Sequence, residues 1–224
     1  MQLRERFHRQ LNELRADILS MGSQVEEQLQ LSLAALSSLD DDKIQAIYNL
    51  DEEVNRRRFA IEETCFNLIA MQNPTAKDLR LVLSALAMAV DLERMGDQTK
   101  GIAKALRHMR RLPELRRPAL LEQMGLVGGR MLRRAMAAYA ENDAEMALSV
   151  PPMDEEVDNQ YARVYADLMM QMAQSDTTDE VEAIYEILRS ARELERFGDL
   201  AANVAERVVY LVTGSVEHMQ DADA

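Results

Sequence analysis

The sequence predicts an all-α chain of two tandem repeated three-helix bundles, six helices in all, and three observations carry that reading. Ala, Leu, Glu, Arg and Met dominate, with no Trp, 4% aromatic residues, 8 Gly and 5 Pro in 224 residues; this is the make-up of a helix former. Apolar residues recur with helical spacing, as in Ile47, Val54, Ile61 and Leu68. The chain also repeats itself. Asp91-Leu92-Glu93-Arg94-Met95-Gly96-Asp97 returns as Glu193-Leu194-Glu195-Arg196-Phe197-Gly198-Asp199, an offset of 102 residues from Glu93 to Glu195. Asp51-Glu52-Glu53-Val54 returns as Asp154-Glu155-Glu156-Val157 at an offset of 103, and Asp40 has its counterpart in Asp143.

A first helix is expected from about Leu3 to Leu39, with Glu13, Arg15, Glu26 and Glu27 marking a surface face. Ser37-Ser38 and the acidic Asp40-Asp41-Asp42 break it. A second runs from about Asp42 to Met71 and is ended by Asn73-Pro74. Thr75 with Asp78 resembles a capping box that opens a third helix, reaching about Arg111. Leu112 to Pro118 carries two prolines and reads as the linker between a first repeat, 1–112, and a second, 113–224. In the second repeat a helix from about Ala119 to Ala140 ends at Glu141-Asn142-Asp143, and the next covers about Asp154 to Ala173. Thr177 with Glu180 caps a last helix reaching Thr213-Gly214. Three helices with short connections pack as an antiparallel bundle. The tail from Ser215 reads as disordered, and the basic Arg107-His108-Met109-Arg110-Arg111, with Arg116 and Arg117, as a solvated linker.

A net charge of −13 argues against a nucleic-acid partner, which needs a basic surface. The charged N-terminus lacks the apolar core of a signal peptide, and no apolar run approaches the roughly 18 residues of a membrane span. The expectation is a cytoplasmic protein without membrane insertion. Cys65 is the only cysteine, so it forms no internal disulfide and is expected as a small buried side chain.

The repeated motif carries the chemistry. At 100° per residue from Leu86, Leu79, Leu83 and Val90 lie within roughly 60°, and Glu93 and Asp97 within roughly 20°. The two carboxylates therefore continue an apolar stripe, and Glu195 and Asp199 do the same after Ile184, Leu188 and Ala191. Like charges at i and i+4 repel by about 0.2–0.5 kcal/mol even on an exposed helix. Mid-helix Gly96 and Gly198 cost about 1 kcal/mol each. A bound cation, the adjacent Arg94 and Arg196, or close packing over the glycines would compensate. Asp154 and Asp158 form a further i,i+4 pair on the stripe of Tyr161, Tyr165, Leu168 and Met172, whereas Asp51 faces Asn55. If neighbouring helices bring these acids together, up to four oxygens suit Mg, Mn, Fe or Ca, and an all-sulfur zinc site is excluded. The Glu-x-x-His pairs of a ferritin-like site are absent. His108 stands eleven residues beyond Asp97, roughly 16 Å along a helix. An ordinary salt-bridge network is the competing reading. With no Gly-rich loop, Ser/His/Asp set or reactive cysteine, a non-enzymatic metal-binding protein is expected, with a metal-dependent phosphate-ester hydrolase as the alternative.

Gln72-Asn73-Pro74-Thr75-Ala76-Lys77-Asp78-Leu79-Arg80 leading into Asp91 to Asp97, Glu193 to Asp199 followed by Ala202-Asn203-Val204-Ala205-Glu206, and Met21-Gly22 with Glu26 together resemble the PhoU family of phosphate-specific transport regulators. The resemblance covers about Leu3 to Gly214. It implies two three-helix bundles and multinuclear metal sites on a Glu/Asp-x-x-x-Asp motif, which maps onto Glu93 and Asp97, Asp154 and Asp158, and Glu195 and Asp199, with Asp51 beside the first pair. Iron, zinc, manganese or magnesium are the metals it implies. It further implies a cytoplasmic, often dimeric negative regulator of the phosphate-starvation response that contacts the ATPase of the phosphate ABC transporter and a phosphate-sensing histidine kinase. Two departures stand out. Asn55 replaces an acid, and Pro151-Pro152 makes Asp154 the start of a helix.

Overall fold

The computed structural model describes residues 2–110 and 117–215, and all their regular structure is helical. Helices α1 (Gln2–Ser38), α2 (Asp41–Gln72) and α3 (Ala76–Met109) form the first unit. The second comprises α4 (Ala119–Glu141), a short α5 (Ala144–Leu148), a 3-10 turn (Pro151–Met153), α6 (Asp154–Gln174) and α7 (Thr178–Thr213). Most of the expected linker and all but the first residue of the expected tail lie outside the described residues.

The repeat is visible in how the helices begin and end. Leu39 (φ 53°) and Asn142 (φ 55°), 103 residues apart, turn the chain in the left-handed region after α1 and α4. The next residue caps the following helix: Asp40 accepts the Asp42 N–H at 2.9 Å and Asp143 the Met146 N–H at 2.9 Å. The symmetry then breaks. The first half continues as one helix of 32 residues. In the second, Pro151 and Pro152 cannot donate interior helical hydrogen bonds, and the same span divides into α5, the 3-10 turn and α6. Residues 144–153 carry no sequence expectation of a helix. Thr177 Oγ1 accepts the Glu180 N–H at 3.3 Å, as expected, but Thr75 makes no side-chain cap, and its carbonyl accepts the Asp78 N–H instead.

The two halves share one apolar core. Its inner residues include Leu14 and Ile18 of α1, Ile47 of α2, Leu92 of α3, Leu132 of α4 and Phe197 of α7, all at most 1% exposed. Each stabilises the fold by about 1.5–3 kcal/mol relative to exposure. Helix α3 packs along α7, antiparallel, since Arg80 reaches Gly214 while Gly101 meets Glu193. Helix α1 meets α4 through residues that the sequence places on a surface. Arg15 lies over the Tyr139 ring at 5.0 Å and donates to the Tyr139 and Ala140 carbonyls, and Glu26 pairs with Arg133 at 2.8 Å. Two members of the basic cluster are likewise engaged, at the end of α3 and not in a linker. Arg107 stacks on Tyr48 at 4.6 Å, and Arg110 pairs with Asp41 at 2.5 Å and donates to the Leu39 carbonyl. Arg111 and Arg116 lie outside the described residues.

Cys65 is 1% exposed, its thiol donates to the Val82 carbonyl at 3.6 Å, and burial pushes its pKa up to about 12. The native protein at about pH 8 should therefore resist Ellman's reagent and react stoichiometrically once unfolded; rapid native reaction would contradict the placement. Phe197→Ala should lower unfolding free energy by about 3–5 kcal/mol in urea titration.

Candidate metal-binding rims

The acids of the repeated motif divide between two faces of their helices. A 200° rotation separates the first and third residues, so Asp91 and Glu193 point away from Glu93 and Glu195. Asp91 is 8% exposed, with Arg94 at 3.9 Å and the charge of Arg207 on α7 nearby. Burial raises its pKa, and the two arginines oppose that. Glu193 packs over Gly101, where a Cβ would lie 2.7 Å from its Oε1. Burial raises Glu193 too, against Arg196 and Arg189. These two acids join the halves.

Glu93 and Asp97 do not continue the core stripe. On α3 that stripe is Met88, Leu92, Met95 and Thr99, whereas the stripe through Leu79, Leu83 and Leu86 is a half-open flank, with Leu83 43% exposed. Glu93 is half-buried there and Asp97 exposed; Glu195 and Asp199 repeat that pattern on α7. Each half thus carries an acidic rim beside the groove between its last two helices.

The first rim holds Asp51, Glu93 and Asp97. Burial raises the pKa of Glu93, and the charges of Asp97 and Asp51 add to the rise while Arg58 and Arg94 oppose it. Lys100 sits among them, its Nζ 2.5 Å from Asp51 Oδ2 and 3.7 Å from Asp97 Oδ1. The hydrogen bond to Asp51 raises the lysine's pKa further above its ordinary value.

The second rim holds Asp154, Asp158, Glu195 and Asp199. Asp154 opens α6, where the helix dipole favours negative charge. Its Oδ1 drops into the space above Gly198, where a Cβ would lie 2.5 Å away. Burial pushes the Asp154 carboxyl up to about 7, helped by the charges of Asp199, Asp158 and Glu195. Burial likewise raises Asp199 and Glu195. Arg192 meets Glu195 Oε1 at 3.0 Å, yet Glu195 Oε2 and Asp154 Oδ1 are buried with no hydrogen-bond partner in the geometry.

A cation implied by the resemblance fits these rims unequally. Among the described residues no three acids, histidines or cysteines are converged into a ready-made shell. At the second rim, however, two orphaned buried oxygens, two exposed carboxylates able to swing, and the glycine cradle offer the all-oxygen donor set of a hard cation. At the first rim a lysine already stands against Asp51. The acids of both rims are legible in sequence; Lys100, Arg58 and Arg192 are not motif residues. Lys100 leaves one trace, because the 102-residue offset pairs it with Ala202. A separate cleft of about 410 Å³, lined by His108, Asp179, Glu182 and Tyr185, lies outside both rims.

The PhoU domain model matches residues 18–106 and again 121–208. The chain is 36% identical over 214 residues to a phosphate-specific transport system accessory protein PhoU homolog of Streptococcus pneumoniae, covering 96% of this chain and 98% of the relative. A homolog of the same name in Pseudomonas putida is 33% identical over 219 residues, covering 96% and 84%. The crystal structure of the phosphate transport system regulatory protein PhoU from Streptococcus pneumoniae superposes with a TM-score of 0.86 at 34% identity, covering 93% of this chain and 98% of that one.

With its pKa raised in the folded state, Asp154 holds a proton that the unfolded chain gives up, so its contribution to stability is complete below about pH 4 and is lost as pH rises through about 7. EDTA-treated protein should melt lower at about pH 8 than at about pH 5. Asp154→Asn should flatten that difference, and so should Gly198→Ala, which evicts the carboxyl without changing charge. An unchanged slope in both variants would assign the pH dependence elsewhere.

Proposed function

The chain belongs to the PhoU family, and on that premise we propose that it is an accessory regulator of phosphate-specific transport that restrains phosphate uptake and represses the starvation response when phosphate is plentiful. The observation that carries this reading is the family domain present in both halves, in a chain that matches relatives named as transport accessory proteins over 84% and 98% of their length. In this reading the protein is a non-enzymatic, cytoplasmic adaptor. It contacts the transporter ATPase and a phosphate-sensing histidine kinase and works as a homodimer.

The geometry supports the adaptor in two ways. No helix of the described residues is long and apolar enough to cross a membrane, so contact with a transporter runs through protein surfaces. Those surfaces carry apolar residues at repeat-related positions: Phe66 on α2 and Met169 on α6 are 71% and 43% exposed, and Leu83 and Tyr185 form a second such pair. Asp154, Asp158, Glu195 and Asp199 would hold a divalent or trivalent cation of the Fe, Mn, Mg or Zn kind. Such an ion would neutralise their repulsion and tie α6 to α7.

The decisive experiment uses secreted phosphatase activity as the starvation reporter in phosphate-replete cells lacking this gene. Constitutive phosphatase is expected, repressed again by the wild-type gene and not by one with Glu93, Asp97, Glu195 and Asp199 all changed to Ala. Normal repression in the null strain would remove the regulatory reading. Repression by an expressed quadruple variant would keep the regulator and discard the acidic rims from its mechanism.

A further inference from the structure

The two rims descend from one sequence, and apart from Arg192, which stands where the first half has Val90, their differences run in one direction. At the second-rim position of Asp158 the first rim has Asn55, one negative charge fewer. At the position of Ala202 it has Lys100. At the position of Tyr161 it has Arg58, whose charge reaches Glu93. The first rim therefore sets three carboxylates against three cations, Lys100, Arg58 and Arg94, whereas the second sets four against two, Arg192 and Arg196.

The carboxylates respond accordingly. Asp51 reaches out to the Lys100 ammonium, 2.5 Å from its Oδ2, and Lys100 also approaches Asp97. In the first half the space over Gly96 is taken by Gln28 of α1, whose Oε1 would lie 3.1 Å from a Cβ there and whose Nε2 donates to the Gly96 and Ile47 carbonyls. Asp154, the counterpart of Asp51, has no lysine to reach for and falls back over Gly198 with Oδ1 unpartnered.

We infer that Lys100 is a built-in substitute for a metal ion, so that the first rim is closed to divalent cations and only the second of the two rims binds metal. An ammonium within hydrogen-bonding distance of Asp51 claims the oxygen that a cation would bind at roughly 2.0–2.6 Å, and it repels any divalent ion placed there. The lysine ties α2 to α3 permanently, whereas the α6 to α7 tie becomes conditional on a metal. The inference rests on the metal reading of the second rim.

The test is Mn²⁺ binding to the purified full chain after EDTA treatment, read as bound metal per chain by equilibrium dialysis and by loss of the free-ion EPR signal. Wild type should bind Mn²⁺, and Glu195→Gln with Asp199→Asn should abolish it, while Asp51→Asn should leave it unchanged. Lys100→Ala, matching Ala202, should raise bound Mn²⁺ roughly twofold as the first rim opens, and this added binding should survive the Glu195→Gln and Asp199→Asn changes. Lys100→Gln serves as a second variant, and circular dichroism confirms the fold of each. Loss of wild-type binding on Asp51→Asn, or no added Mn²⁺ in either folded lysine variant, would overturn the inference while leaving the second-rim site standing. Absence of Mn²⁺ from every protein would overturn the metal reading and this inference with it.

Discussion

Helices α3 and α7 lie antiparallel and in close contact at Gly101, and the other helices are arranged around that contact. Gly101 leaves room for the Glu193 side chain between them. Close approach of two long helices brings the first acid of each motif copy to the opposing half, Asp91 toward Arg207 and Glu193 over Gly101. The motif is thus two devices in seven residues. Its first acid joins the halves, and its third and seventh residues project to an outer rim, because 3.6 residues per turn send them to opposite sides.

The glycine of each motif gives the rims their depth. Removing one Cβ allows the preceding helices to approach α3 or α7, and the vacated space is filled differently in each half. Gln28 crosses from α1 to fill it above Gly96, making hydrogen bonds to α2 and α3 carbonyls. Above Gly198 the space falls to Asp154 and Val157. A duplicated backbone therefore supports two different electrostatic solutions, and the choice follows from a few side chains: Lys100 or Ala202, Asn55 or Asp158, Gln28 or Met131. One half balances its charge internally. The other retains an excess of carboxylate that burial makes costly.

This asymmetry gives the adaptor reading a physical form. In the proposed metal reading, the Lys100 tie is always made, while the tie of α6 to α7 would depend on an ion. The split of the second half at Pro151-Pro152 adds to the contrast, since α2 runs unbroken through the span where α5, the 3-10 turn and α6 stand. Exposed apolar positions repeat in both halves, as Phe66 and Met169 do, so the halves offer related surfaces.

Much of this was legible in the sequence. Helix boundaries followed from Asn73-Pro74, Thr177 with Glu180 and the acidic caps Asp40 and Asp143, because those signals act within a turn or two of chain. Duplication followed from motifs in register, and the acids of both rims from their i,i+4 spacing. Tertiary structure decided the rest. Periodicity about Leu86 pointed to a stripe, but it could not tell a core from a flank, since that depends on which other helix covers it. Arg15, Glu26, Arg107 and Arg110 read as solvated from composition alone, yet partners 59 to 125 residues away engage them. Lys100 belongs to the same class: its meaning lies in a 2.5 Å contact with Asp51, 49 residues earlier, which no local pattern encodes.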